Sequence, residues 1–240
     1  MLCGLPGTGK TTYANALGEF LSTRKNLELG MTDFPGYKVI SLDSVKDHVA
    51  KEKDAVYNRS HAHEVKWEFI REIYLALSAG YGVVLDDTFK ERSSRRAMYS
   101  LAKNSSLEVL LLELVCPQAE SLRRIHSDES RKRGSSSIGF CPTRDPHVVR
   151  GIASRWEKIR DYDYNNGKKH AYYSNVVYHS RFDSEQGKFE YNYKKSRAGE
   201  QFNGFVDDVR VCLSDVYSKW HKPSPEDTIP DSSSVLGSAE

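Results

Sequence analysis

Gly4-Leu5-Pro6-Gly7-Thr8-Gly9-Lys10-Thr11 is the stretch on which the reading of this chain turns. It fits the pattern G-x-x-x-x-G-K-[ST] at every specified position. The spacing has a chemical purpose. Glycines let the backbone turn tightly and aim successive N–H groups at phosphate oxygens. A lysine in the place of Lys10 reaches the β- and γ-phosphates of a nucleotide, and a hydroxyl in the place of Thr11 can ligate Mg²⁺. A helix opening near Lys10 would add the positive end of its dipole. The cradle therefore comprises Gly4, Leu5, Pro6, Gly7, Thr8, Gly9, Lys10, Thr11 and the following Thr12, and the expected cofactors are ATP and Mg²⁺. ATP is taken over GTP by default, because no guanine-reading motif is evident.

Working outward, apolar periodicity alternates between strand and helix. Tyr13, Ala14, Leu17 and Leu21 recur at helical spacing over Thr11 to Leu21. Tyr37 to Leu42 reads as a strand ending at Asp43, with a helix from Ser44 to about Val56. Val65, Phe69, Ile73 and Leu77 mark a helix from about His61 to Ser78. Gly82 to Leu85 is a short buried strand ending at Asp86-Asp87. Ser93 to Lys103 is helical, and Leu107 to Val115 is the continuous apolar run of a central parallel strand. Pro117 opens a long basic helix, and Pro146 to Arg160 is helical again. Two strands are expected around 183–187 and a closing helix from Gln201 to Trp220. This alternation predicts an α/β phosphate-loop sandwich, a mostly parallel sheet covered on both faces. One domain is expected over residues 1–222, with a mobile basic lid at about 123–145. The Pro-, Ser- and acid-rich residues 223–240 read as a disordered tail. Only Met1-Leu2-Cys3 precede the loop, so the first strand is either very short or the tail of one that begins earlier in a longer protein; the second is expected.

Ligands of such sheets bind beyond the carboxyl ends of the strands. Gly4, Asp43, Asp86 and Asp87 all fall at such ends and should converge. Asp43 has two readings: the carboxylate that takes or orients an acceptor hydroxyl's proton, or a helix N-cap. One of Asp86 and Asp87 should hold the metal. Thr11 and Asp86 are assigned to it and Asp87 to the acceptor side, with the choice between the two aspartates left open. Arg95 and Arg96, on the next helix, either meet an anionic group of the acceptor or pair with an acid. Of the lid cations, Arg124 and Arg131 are the ones expected on the transferring phosphate.

Bulk composition excludes several classes. A formal net charge of +2 over 240 residues does not announce a nucleic-acid binder. Cys3, Cys116, Cys141 and Cys212 are scattered without a C-x-x-C pair, which argues against a zinc site or a disulfide framework. The eight histidines show no metal spacing. No stretch approaches the length of a membrane span, so no membrane partner is expected, and the default compartment is the cytoplasm. Tyr162, Tyr164, Tyr172, Tyr173, Tyr191 and Tyr193 sit near Lys168 and Lys169, either as base-stacking aromatics or, more ordinarily, as core and strand residues.

Together the phosphate loop, Asp43, and Val84-Leu85-Asp86-Asp87-Thr88 followed by Arg95-Arg96 resemble the phosphate-loop kinases related to phage polynucleotide kinase. The pattern is most similar to L-seryl-tRNA(Sec) kinase and related ATPases, and Leu122-Arg123-Arg124 and Trp156-Glu157-Lys158 add to it. The resemblance spans roughly Met1 to Tyr164. It implies Asp43 as acceptor-side base, Lys10 and Thr11 as phosphate and Mg²⁺ ligands, and Arg124 or Arg131 as lid cations. It also implies transfer of a γ-phosphoryl group to a hydroxyl on an RNA-linked acceptor (an aminoacyl-tRNA or polynucleotide end) or on a small metabolite. Lys46 stands where polynucleotide kinases carry an arginine, and a lysine does not make the same bidentate grip on phosphate. Phe89 stands where the seryl-tRNA kinases often carry an asparagine. The competing class is a regulatory ATPase associated with tRNA modification that acts through partners.

Overall fold

A computed structural model describes residues 1–28, 34–53, 59–132, 146–157, 159, 177–192 and 199–220, without the side chains of 25–28, 59 and 128–132. Its elements are β1 (Leu2–Cys3), α1 (Lys10–Glu28), β2 (Tyr37–Ser41), α2 (Leu42–Glu52), α3 (Ala62–Ser78), β3 (Gly82–Asp86) and α4 (Arg92–Asn104). They continue as β4 (Val109–Val115), α5 (Gln118–Lys132), α6 (Pro146–Ser154), β5 (Val177–Asp183), β6 (Lys188–Tyr191) and α7 (Glu200–Trp220). The strands form one sheet in the order β2-β3-β1-β4-β5-β6, parallel except for the β5–β6 hairpin. This is the expected α/β sandwich.

Side-chain alternation along each strand explains the two layers. In β4, Leu110, Leu112 and Leu114 face one side with α1 and α7, where Tyr13, Leu17, Val206 and Leu213 are buried. Leu111 faces the other, with Val45, Val49, Phe69, Ile73 and Met98 of α2, α3 and α4. A run apolar at nearly every position, Glu113 excepted, suits a strand covered on both faces. Short as it is, β1 lies at the centre: Leu2 pairs with both Asp86 of β3 and Leu112 of β4, and both β1 residues are buried. The chain leaves β1 directly into the glycine-rich loop, at the point where strand order reverses around β1.

Several boundaries differ from the sequence expectation: α1 runs past Leu21 to Glu28, β4 opens at Val109 rather than Leu107, and α6 ends at Ser154 rather than Arg160. β2 stops at Ser41, which has extended backbone angles and caps α2, so the helix begins at Leu42 without a connecting loop. Asp43 therefore belongs to the first turn of α2. The N-cap reading of Asp43 falls, because Ser41 occupies that position. The basic helix runs to Lys132. The rest of the expected lid, the tail, the tyrosines from Tyr162 to Tyr173 and Tyr193 lie outside the described residues. Tyr191 is a strand residue whose hydroxyl donates to Asp207.

Candidate nucleotide and acceptor site

Gly7 and Gly9 carry φ of +82° and +88°, a region in which a side chain is strained. Space is equally restrictive. A Cβ on Gly7 would sit 2.4 Å from the backbone oxygen of Ser121, and one on Gly9 would sit 3.2 Å from the Trp220 ring. The Ser121 hydroxyl also donates to the Pro6 carbonyl. The first turns of α5 thus seat the loop from one side, and Pro6, Gly7 and Gly9 line the cavity.

Lys10 opens α1 and is almost fully buried. Its ammonium donates to the Leu5 carbonyl at 2.9 Å, and the Thr8 hydroxyl donates to the same oxygen at 2.9 Å. Burial pushes the Lys10 pKa down, opposed by the carboxylates of Asp86, Asp87 and Asp43. All three acids are thus near enough to act on one ammonium. Asp86 is buried and accepts a hydrogen bond from the Thr11 hydroxyl at 2.7 Å. Burial raises the pKa of Asp86 and of Asp87. The half-buried Asp87 has no such bond to Thr11. Asp43 is exposed, and Lys46 one turn later donates to its Oδ1 at 2.6 Å.

These groups line one cavity of about 1020 Å³. Pro6, Gly7, Gly9, Lys10, Thr11 and Thr12 form its loop side; Asp43, Lys46, Asp86, Asp87 and Thr88 form the strand-tip side. Lys90, Arg123, Arg124 and Trp220 complete the wall.

The donor set fits ATP and Mg²⁺. The loop is a cradle in which glycine alone avoids collision, and Thr11 and Asp86 supply two hard oxygens already in contact. Mg²⁺ typically takes one or two protein oxygens with phosphate and water completing an octahedron. No cluster of three or more His, Cys, Asp or Glu side chains that could hold a metal occurs among the described residues.

The arginines need correction. Arg95 does not reach the cavity: it is wholly buried, and its guanidinium donates to the carbonyls of Phe89 (2.7 Å), Lys90 (3.2 Å) and Glu157 (3.2 Å). Phe89 has φ of +43°, rare for a bulky residue, and Arg95 holds its carbonyl in place. Position on a helix face cannot reveal this; the carbonyls come from a loop and from a segment 62 residues later. Arg96 is half-buried and away from the cavity wall. Arg124 does line the cavity, but its guanidinium is bonded to Glu120 at 2.6 Å and to the hydroxyl and carbonyl of Ser184 at 3.1 and 3.0 Å. It is fastened to the β5–β6 turn in this arrangement rather than extended over the phosphate cradle. Arg131 lies on α5 with its side chain outside the described residues. Ser121 and Trp220, both against the loop, have no sequence signal: they meet it from more than 100 residues away.

A protein-family model described as an AAA domain matches residues 1–137. Among solved structures, a candidate kinase from Chloroflexus aurantiacus is 16% identical, with a TM-score of 0.52 over 88% of this chain and 96% of its own. At that identity the likeness bears on the fold alone. The APS kinase of Mycobacterium tuberculosis, solved with AMPPNP and APS, is 16% identical at a TM-score of 0.46, over 87% of this chain and 94% of its own. Kti12 of Chaetomium thermophilum, solved with ADP-AlF3, is 17% identical at a TM-score of 0.47, over 87% of this chain and 97% of its own. No curated protein matches the chain. No helix among the described residues is long and apolar enough to cross a membrane.

Proposed function

The chain belongs to the AAA-domain family, and from that premise we propose that it is an ATP-dependent phosphotransferase acting on a hydroxyl acceptor. One observation carries this reading: the phosphate cradle and an exposed carboxylate oriented by a lysine, Asp43 with Lys46, line the same cavity. A carboxylate in that place orients the incoming nucleophile, read here as an acceptor hydroxyl rather than water.

The chemistry follows from placement. The amides of the loop and the Lys10 ammonium bind the β- and γ-phosphate oxygens, with Lys10 exchanging its bond to Leu5 for one to phosphate. Thr11 and Asp86 would hold Mg²⁺, which when bound supplies neutralising charge to those oxygens. Asp43 accepts the proton of the acceptor hydroxyl as its oxygen forms a bond to the γ-phosphorus. The bond from that phosphorus to the β–γ bridging oxygen breaks, and ADP departs with the electron pair. Most of the rate arises from positioning and from preorganised charge. Lys46, by fixing Asp43, is a positioning residue. Lys46, Lys90 and Arg123 on the cavity wall are paired with Asp43, Glu91 and Glu120; exchanged for phosphate oxygens, those pairs would serve an acceptor that itself carries phosphate, and we assign it to RNA, as an aminoacyl-tRNA or a polynucleotide end.

The test is label transfer from γ-labelled ATP into separated RNA and small-molecule fractions. Label in RNA supports the full reading; label in a metabolite keeps the kinase and removes the RNA acceptor. Free phosphate alone would replace the kinase with a regulatory ATPase. Asp43→Asn should lower transfer by about 10²–10⁴-fold, the usual worth of a general base, while ATP affinity stays within a few-fold. Undiminished transfer would remove Asp43 from the mechanism.

A further inference from the structure

The acids around Lys10 give the cradle a direction. Asp43, Asp86 and Asp87 mark the end where the terminal phosphate and the acceptor meet. A nucleoside must leave the cradle away from those acids, and Arg124 and Trp220 are among the other residues that line the cavity. Trp220 ends α7, more than 200 residues along the chain from the loop it touches. Its ring lies against Gly9 and against Tyr13, with centroids 5.5 Å apart and planes tilted by 49°. Tyr13 is itself fully buried and packs edge-on to Phe182 at 5.3 Å. Trp220 thus has a rigid aromatic backing on one side, yet it remains 45% exposed and lines the cavity on the other.

The walls of this corner are fastened together. Arg124 is bonded to Glu120 and to Ser184. The Tyr217 hydroxyl donates to the Glu185 carbonyl at 2.9 Å, and its ring fills the space over Gly187, where a Cβ would be 2.5 Å away. α5, the β5–β6 turn and the end of α7 therefore hold one arrangement around the indole. A large π-face, exposed on one side and backed on the other, matches a nucleobase. Stacking of this kind accepts any base and grows with ring size.

We propose that Trp220 is the stacking platform of a nucleobase subsite, taking the base of a purine nucleoside triphosphate whose phosphates occupy the loop. This rests on the nucleotide-site reading above. The experiment separates the two. Inorganic tripolyphosphate engages the cradle without a base; ATP engages both. In a W67F/W156F background Trp220 is the sole tryptophan, and ATP with Mg²⁺ should quench its fluorescence while tripolyphosphate leaves it nearly unchanged. By calorimetry, Trp220→Ala should weaken ATP about 5- to 150-fold, the span of base–aromatic stacking, and leave tripolyphosphate within about twofold. Trp220→Phe should recover most of the ATP affinity. Equal losses for both ligands would mean damage to the cradle and would overturn the subsite, as would no loss for either. If the unaltered protein binds tripolyphosphate but gains nothing from a base, the cradle stands and the platform falls. If it binds neither ligand, both readings fall.

Discussion

Lys10 and Arg95 are both buried cations that donate to backbone carbonyls, and they do opposite things. Lys10 makes one bond, to Leu5, beside three carboxylates and an open cavity. Arg95 makes bonds to three carbonyls drawn from the β3–α4 loop and from Glu157, and its side chain does not line the cavity. A single-point donor on a flexible stem exchanges partners readily. A planar fork that satisfies several acceptors at once is a structural clamp. The difference teaches that burial of a charge does not by itself mark a functional site: what matters is whether the group can exchange its partners for a ligand.

Three substitutions sharpen or break that contrast. The largest effect is expected of Lys10→Ala, which should lower phosphoryl transfer by about 10²–10³-fold, as loss of a preorganised charge donor does. Its melting temperature should stay within a few degrees of the unaltered protein, because burial already disfavours the charged amine. A large fall in melting temperature with transfer intact would make Lys10 the clamp instead. Next is Arg95→Ala, which strands three carbonyls and frees the strained turn at Phe89. A loss of about 3 kcal/mol is expected, or roughly 6–12 °C for a chain of this size. Arg95→Lys should not rescue it, since an ammonium cannot span the same fork. Unchanged stability would show the clamp to be idle.

The smallest effect concerns Glu120, the acid that anchors Arg124. Hydrogen bonding from Arg123, with Arg124 adding to it, holds the Glu120 pKa at about 2. A pKa below its unfolded value contributes stability that is full above the ordinary glutamate range and is lost as pH falls toward 2. Melting temperature should therefore fall between about pH 4.5 and 2, and Glu120→Gln should flatten part of that limb. Asp86 and Asp87 act in the opposite sense: burial raises their pKa values, so their charged forms cost stability and acid relieves that cost. If Glu120→Gln leaves the acid limb as steep, the α5 anchor contributes nothing to folding.

The sheet was legible in the chain because its signals are local. An apolar run such as Val109 to Leu112 reads as a strand buried on both faces, and Gly-x-Gly-Lys-Thr can only turn in a few ways. Asp86 was legible for the same reason: an acid at the tip of a buried strand lies where such sheets keep their ligands. Its pairing with Thr11 singled it out from Asp87, which sequence left open. Arg95 was misread because adjacency to Arg96 on a helix says nothing of which face is inward. Arg124 was read as free to swing, yet its partner, Ser184, is 60 residues away.

By itself, then, the sequence determined the phosphate cradle, the alternating sheet and the gathering of acids at one edge, since each follows from covalent spacing and short-range pattern. Tertiary structure alone decided which arginine became a clamp, which aspartate met Thr11, and that an indole from the end of α7 lines the cavity beside Gly9. Those outcomes depend on contacts between residues far apart in the chain, which only packing brings within a few ångströms.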